Sequence, residues 1–370
     1  FSLMKSLQIV LLLLLVNVVA KAQDRWTAFY DEDDYRSGFK NAKGEVMITP
    51  KFMGFTAANW FDKVMAAMQD SSGIFDSYYL LKDGTRFGKD SLYVFDMTFD
   101  CEQEGFIKFK DPITDKVGMF DEHGKVAIPA MYNDMTRFYN GVVVALTGAG
   151  KVYWDKDSSH AGCNHWSWQG GRELLINTRN EVLIDSFTTD EKLDYYSMLI
   201  SDMPSSDVHR VNFAGRNGKQ YPFIDNESLF RSFLNNVFLK DLTSKNIISQ
   251  SYTDIVYWQE DQGWIAKDAK QFVTDNYAIL IQRLLALKDI GSYTISIEDF
   301  ILMPEDMNAT FDSYRNNCGY WNKRKFPVFN IVVTHNAQNG TFSHQDNFTF
   351  LKTETGIKFI SCSLSNCVVH

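Results

Sequence analysis

The chain is poor in the residue types that mark many common enzyme classes. It contains 5 cysteines, 7 histidines and 7 prolines among 370 residues. An odd number of cysteines leaves at least one thiol outside any set of internal disulfides, and no cysteine pair has the two-residue spacing of a zinc knuckle. The His-Glu-x-x-His pattern of zinc proteases and the Gly-x-Ser-x-Gly nucleophile elbow are also missing. The sequence therefore offers no motif on which to assign an enzyme, and we expect a non-catalytic protein.

Basic charge is scarce as well. The chain carries 37 Lys and Arg against 46 Asp and Glu, which gives a net charge of −9. Nucleic-acid binding is dominated by cationic contacts with phosphates. We therefore expect no nucleic-acid partner, and anionic membrane surfaces are disfavoured for the same reason.

Long apolar runs are confined to the N-terminus. Lys5 precedes the run Ile9–Val16, and Ala20-Lys21-Ala22 follows it. This order of a positive residue, an apolar stretch and two small residues is typical of a cleavable signal peptide, whereas a transmembrane helix needs about 20 apolar residues. We expect residues 1–22 to be removed, Gln23 to become the N-terminus, and no membrane span to remain. The mature protein is then periplasmic, displayed at the cell surface or secreted.

Export permits disulfide bonds, since they persist in oxidising compartments. Three of the cysteines lie in the C-terminal region, at Cys318, Cys362 and Cys367. We expect a bridge within this trio, and the sequence leaves its pairing open.

Aromatic residues are plentiful, at 15% of the chain, and they favour β-rich structure. Gly44, Gly84 and Gly124 are spaced 40 residues apart, and residues 38–52 align with residues 118–132 after a shift of 80. Each copy combines a short apolar strand, a polar turn that ends in glycine and a second strand of alternating apolar residues. We expect the three glycines to occupy equivalent turns of successive β units.

The segment from Val117 to Leu146 resembles the WG-repeat family. The positions that follow the family order are Ile128-Pro129, Tyr132, Phe138 and Gly141. The Trp-Gly pair itself is absent, because Val117-Gly118 and Ser37-Gly38 stand in its place. The resemblance implies tandem β units, with weaker copies around Asn180 and Gly218, over residues 23–225. It does not imply an enzyme.

Residues 226–370 have a different pattern, which predicts a separate α+β domain. Apolar residues recur at helical spacing from Leu229 to Phe238, and the expected later elements are helices at Lys245–Trp258 and Ala266–Leu287, followed by strands at Tyr293–Leu302, Phe326–Thr334, Thr341–Leu351 and Ile357–Leu364. Helices followed by an antiparallel meander give an α+β order. This order resembles the NTF2-like cone, in which a curved sheet wraps helices around a pocket.

Two clusters contain metal-ligand residue types. His160, Cys163 and His165 form the denser one. Their serine and tryptophan neighbours indicate a loop packed over the repeats, so we assign no metal, cofactor or catalytic residue there. His335 and His344 lie on neighbouring predicted strands with Asp346 nearby, and we interpret them as exposed polar strand residues.

Two functions remain open. The first is a binding or scaffold module for a protein or glycan partner, since repeat arrays present extended surfaces. The alternative is an enzyme or small-ligand binder that uses a pocket in the cone-like C-terminal domain.

Overall fold

The computed structural model describes residues 25–31, 35–53, 58–71, 73–153, 165–288, 293–336 and 342–364. The chain divides into two compact units. Unit 1 contains the described residues up to Thr188 together with Asn316–Gly319, and unit 2 contains Thr189–Arg315 and the residues from Tyr320 onward. The predicted leader at residues 1–22 lies outside the described residues. The domain boundary expected after residue 225 falls inside unit 2, and whether a chain cut there folds stays a prediction.

Unit 1 is built from antiparallel strands. They are β1 Trp26–Tyr30, β2 Arg36–Lys40, β3 Val46–Met53, β4 Trp60–Phe61, β5 Val64–Ser71, β6 Ile74–Leu81, β7 Arg86–Phe87, β8 Val94–Phe95, β9 Thr98–Phe99, β10 Ile107–Lys110, β11 Val117–Phe120, β12 Val126–Tyr132, β13 Asp134–Met135, β14 Val142–Tyr153, β15 Trp166–Asn177 and β16 Val182–Phe187. The sheet orders are β4-β1-β2-β3-β5-β6-β7, β8-β9, β10-β11-β12 and β13-β14-β15-β16.

One hairpin turn recurs in unit 1, at residues 41–45, 81–85, 121–125 and 177–181. In each, the first N–H donates to the fifth carbonyl and the fourth N–H donates to the first carbonyl, with N···O distances of 2.8–3.1 Å. The fourth residue has positive φ in every copy, and these residues are Gly44, Gly84, Gly124 and Asn180. Glycine and asparagine tolerate this left-handed conformation best. The equal sequence spacing therefore corresponds to a repeated backbone geometry.

A side-chain clamp reinforces three of these turns. Asn41, Asp121 and Asn177 each occupy the first position, and their Oδ1 atoms accept from the third and fifth backbone N–H groups at 2.9–3.0 Å. Short polar side chains that bind the backbone two residues on are typical of tight turns. The clamp explains why asparagine or aspartate occupies the first position of these three turns.

The disulfide of unit 1 differs from the predicted one. Cys101 is bonded to Cys318, with the two Cα atoms 5.9 Å apart. The pairings within the expected trio that use Cys318 are therefore wrong, whereas a bridge between Cys362 and Cys367 stays a prediction. The physical reason is that the chain returns residues 316–319 to unit 1, where the carbonyl of Asn317 accepts from the N–H of Trp60 at 2.9 Å. Cys362 is buried in the last strand of unit 2, and Cys367 lies outside the described residues.

Unit 2 combines strands with three α-helices in its described part. Its elements are β17 Leu193–Asp194, β18 Arg210–Ala214, β19 Gln220–Asp225, α1 Asn226–Phe233, a π-helical turn Leu234–Phe238, α2 Ser244–Ser249, β20 Ser251–Gln259, β21 Gly263–Asp268, α3 Ala269–Leu285, β22 Tyr293–Glu298, a 3-10 helix Glu305–Tyr314, β23 Val328–Asn336, β24 Phe342–Thr353 and β25 Gly356–Ser363; two shorter 3-10 turns are Tyr195–Ser197 and Ala286–Lys288. The sheets have the orders β17-β19-β18 and β21-β20-β25-β24-β23-β22.

The coarse α+β expectation for unit 2 is confirmed, with one wrong element. The helix expected at Lys245–Trp258 ends at Ser249, and β20 follows it. Strand β20 is rich in aromatic and β-branched residues, which favour a pleated, half-buried surface. It pairs with β25 in parallel, while the other strand pairs of the unit are antiparallel within the described residues.

An aromatic core joins α1 to the six-stranded sheet of unit 2. The ring of Phe230 stacks on that of Phe329, with centroids 4.3 Å apart, and Phe350 lies 5.3 Å away. Val237 and Leu285, two apolar residues of the helices expected from the sequence, are 43% and 49% exposed. Val237 lies inside the π-helical turn, whose hydrogen bonds span five residues and which buries Leu234 and Phe238. Leu285 lies one residue past the buried Leu284.

None of the helices in the described part of the chain has the length and apolar character needed to cross a bilayer.

Candidate functional site

Of His160, Cys163 and His165, to which the sequence led us to assign no metal, only His165 lies among the described residues. His165 is exposed and directly precedes β15. His160 and Cys163 lie outside the described residues. The turn glycines Gly44, Gly84 and Gly124 have φ values of 79°, 89° and 74°, so their role is set by backbone geometry.

Repeat-equivalent valines follow three of the turns in unit 1. Val46, Val126 and Val182 each stand two residues after the positive-φ residue. Val46 is 52% exposed and Val126 is 56% exposed, while Val182 is partly buried. The same apolar position is therefore presented to solvent in two copies 80 residues apart.

A buried carboxylate ties successive repeats together in unit 1. Glu102 Oε2 accepts from the N–H of Lys63 at 3.2 Å and from Nδ2 of Asn317 at 2.9 Å, and its Oε1 accepts from the N–H of Gly105 at 2.9 Å. Glu102 follows the disulfide residue Cys101 directly. Burial raises the pKa of Glu102 to about 7, and nearby Asp62 adds to the rise.

A second buried charge cluster lies beside it. Lys108 Nζ is 3.7 Å from Asp100 Oδ1, donates to the carbonyl of Met135 at 3.2 Å and lies 3.9 Å from the Tyr93 ring centre. Arg137 Nε donates to Asp100 at 3.0 Å. Because each of these charges has partners, the cluster is suited to holding strands together, and its chemistry is structural.

Among the described residues, a compact set of side chains that could hold a metal lies in unit 2. His335 pairs with His344 across β23 and β24, and Asp346 is two residues further along β24. Side chains alternate along a strand, so His344 and Asp346 project from one face. The imidazole rings stack with centroids 4.3 Å apart, and His335 Nε2 lies 2.9 Å from Asp346 Oδ2. Arg283 on α3 donates to the same oxygen at 3.3 Å.

His335, His344 and Asp346 were identified from the sequence as exposed strand residues, and the structure differs at Asp346. Asp346 is 1% exposed, so the interpretation of exposed polar strand residues is wrong for it. A buried carboxylate needs a cation or hydrogen-bond donors, and Arg283 and His335 supply both. Arg283 was missed because it lies on a distant helix. The signal available in the sequence was that polar residues occupy neighbouring positions on two otherwise apolar predicted strands.

A small cleft elsewhere in unit 2 is a weaker candidate for a binding or catalytic site. It is lined by Ser313, Tyr314, Lys325, Phe326 and Thr353–Thr355. Lys325 Nζ and Glu354 Oε1 lie 2.6 Å apart, so the two charged side chains of the cleft already form an ion pair with each other.

Comparison with protein families agrees with the repeat geometry. Residues 118–148 match the family model described as WG containing repeat. The resemblance inferred from the sequence is confirmed over this stretch, which runs from β11 into β14. None of the curated proteins compared with the chain matches it.

Proposed function

We propose that this chain is an exported protein whose β-repeat unit binds a protein or glycan partner and catalyses no reaction. The observation that carries the proposal is the repeated presentation of Val46 and Val126, each more than half exposed at the same position after the same turn. Repeat units with solvent-facing positions in register give extended binding surfaces. The match to the WG containing repeat supports the repeat character.

Site-specific crosslinking tests the proposal. A photo-crosslinking amino acid placed at Val46 or Val126 is expected to capture one and the same partner in the source cell. Asp261 is an exposed position in unit 2 and serves as the control. Replacing the other valine by Asp should reduce capture, because a charge opposes burial of an apolar contact. Capture that is absent, or equal at Asp261, contradicts a repeat-based binding surface.

Export is part of the same proposal. The leader pattern from Lys5 to Ala22 supports cleavage before Gln23. N-terminal sequencing of protein recovered from outside the cytoplasm is expected to begin at Gln23. Retention of the leucine-rich segment in the recovered protein would contradict cleavage at this site.

A second candidate function is a small-ligand or catalytic site in unit 2, which would then be an NTF2-like cone. The polar cluster of His335, His344 and Asp346 favours it, because these residues interrupt an otherwise apolar face. The aromatic core opposes an open pocket there, since Phe230, Phe329 and other rings fill the space between helices and sheet. We therefore rank the binding module first.

A further inference from the structure

We propose that His335, His344 and Asp346 form a binding site for a divalent transition-metal cation of the zinc class. Each residue offers one ligand atom, and these atoms lie within 4.8 Å of one another. Zinc bonds of about 2.0–2.2 Å in tetrahedral geometry place neighbouring ligand atoms roughly 3.4 Å apart. His335 Nε2 and Asp346 Oδ2 are already 2.9 Å apart, so small side-chain rotations complete the set.

His344 gives an independent reason to place an ion here. Its Nε2 is buried and has no hydrogen-bond partner among the described residues. Its Nδ1 lies 3.0 Å from the Ser343 hydroxyl. With the proton on Nδ1, donated to Ser343, Nε2 carries the lone pair that a metal requires. Leaving such a buried polar atom without a partner is unfavourable, and a metal bond removes that cost.

The donor set selects the class of cation. Two imidazoles and one carboxylate suit zinc and its neighbours, whereas calcium and magnesium prefer all-oxygen sites. The His335 side chain is 28% exposed, which gives the ion access from solvent. Three protein ligands also leave a fourth position for water.

Arg283 affects how tightly this site would bind a cation and still leaves the site available to it. It donates to the Asp346 carboxylate at 3.3 Å and balances that buried charge when no metal is bound. Carboxylates that bind metals are commonly held by such outer hydrogen bonds. The positive guanidinium also repels a dication, so we expect weaker binding than at a closed site with four protein ligands.

The test uses the whole mature chain after removal of metal with a chelator. Zinc titration by calorimetry, with elemental analysis after dialysis, is expected to give one ion per chain. His344→Gln and the double variant His335→Gln/His344→Gln should bind zinc at least about 10-fold more weakly. His123→Gln, at an exposed histidine of unit 1, should bind as the parent does. Circular dichroism in chelator checks that each variant is folded.

A second variant set separates this site from the other cluster. The triple variant His160→Gln/Cys163→Ser/His165→Gln is expected to keep the parent's zinc stoichiometry. The proposal is overturned if the folded parent binds no zinc, or if the double variant binds as tightly as the parent. It is equally overturned if only the triple variant loses zinc, because the ion then belongs to that cluster.

Discussion

At the scale of single residues, glycine has two separate roles in the repeats. Gly44, Gly84 and Gly124 supply positive φ. Gly38 and Gly118 instead allow close strand approach, because a Cβ at either position would lie 2.5 Å from the carbonyl oxygen of Ile48 or Ile128. These two residues stand where the repeat family has the glycine of its Trp-Gly pair. The glycine of the pair therefore has a steric explanation that holds without the tryptophan.

Replacing Gly118 tests this explanation. Gly118→Ala should destabilise the protein by about 1–3 kcal/mol, because a methyl group would meet backbone and the Phe109 ring in a packed core. Gly150→Ala is the matched control, since nothing lies within 4 Å of its Cβ. Chemical denaturation of both variants measures the difference. Equal stability of the two variants would refute the close-approach argument.

The buried carboxylate of Glu102 predicts a pH dependence. Its folded-state pKa is about 7 because of burial, whereas an ordinary glutamate titrates near 4.3. Between these values the folded state holds a proton that the unfolded state has lost, so stability should fall as pH rises from about 4.5 to about 7. The loss should be on the order of 1–3 kcal/mol.

Glu102→Gln should flatten that slope, since a neutral side chain replaces the titrating one. Glu45→Gln, at an exposed carboxylate of the first turn, should leave it unchanged. Thermal unfolding at several pH values provides the measurement. A slope that survives in Glu102→Gln would assign the pH dependence to another group.

At the scale of elements, local sequence signals predicted the turns correctly but did not predict where helix α2 ends and strand β20 begins in unit 2. The turn at 121–125 has a signal that is complete within five residues, because Asp121 and Gly124 determine its hydrogen bonds. Strand β20 lacks such a signal. Its apolar residues also fit a helical spacing, and pairing with the distant strand β25 makes it a strand. The candidate site shows the same limit, since Arg283 reaches Asp346 from 63 residues away.

Helix α1 and its π-helical turn give a prediction about that packing. Phe230→Ala should cost about 3–5 kcal/mol, because it removes a fully buried ring stacked on Phe329. Val237→Ala should cost much less, because Val237 is 43% exposed. Denaturant unfolding of the two variants compares them directly. A comparable loss in both would mean that Val237 contributes to the core as much as the buried Phe230 does.

At the scale of the whole molecule, sequence order and compact units do not coincide. The Cys101–Cys318 bond joins residues 217 positions apart, and Asn316–Gly319 belongs to unit 1 although both flanking segments belong to unit 2. No local pattern predicts such a return, since neither cysteine has a distinctive neighbour. The same segment also places Asn317 within hydrogen-bonding distance of Glu102. Spacing along the chain therefore did not indicate the partner of Cys318.

The boundary between the units leads to the last prediction. A fragment of residues 189–370 carrying Cys318→Ser should unfold cooperatively, whereas residues 226–370 should melt at lower temperature or without cooperativity. The shorter fragment lacks the whole three-stranded sheet formed by β17, β19 and β18. It also lacks Asp194, whose Oδ2 lies 2.5 Å from Nζ of the largely buried Lys352. Removing one partner of a buried ion pair costs about 3–5 kcal/mol.

A point variant separates these two contributions. Asp194→Asn in the longer fragment should reproduce part of the loss, because it removes the charge that faces Lys352 and keeps the strands. Calorimetric melting of the three proteins gives the comparison. If residues 226–370 melt as cooperatively and at the same temperature as residues 189–370, the boundary expected from the sequence is correct. Residues 189–225 would then contribute contacts without being needed for the fold, and their turn at Gly218 would belong energetically with the repeats that it resembles.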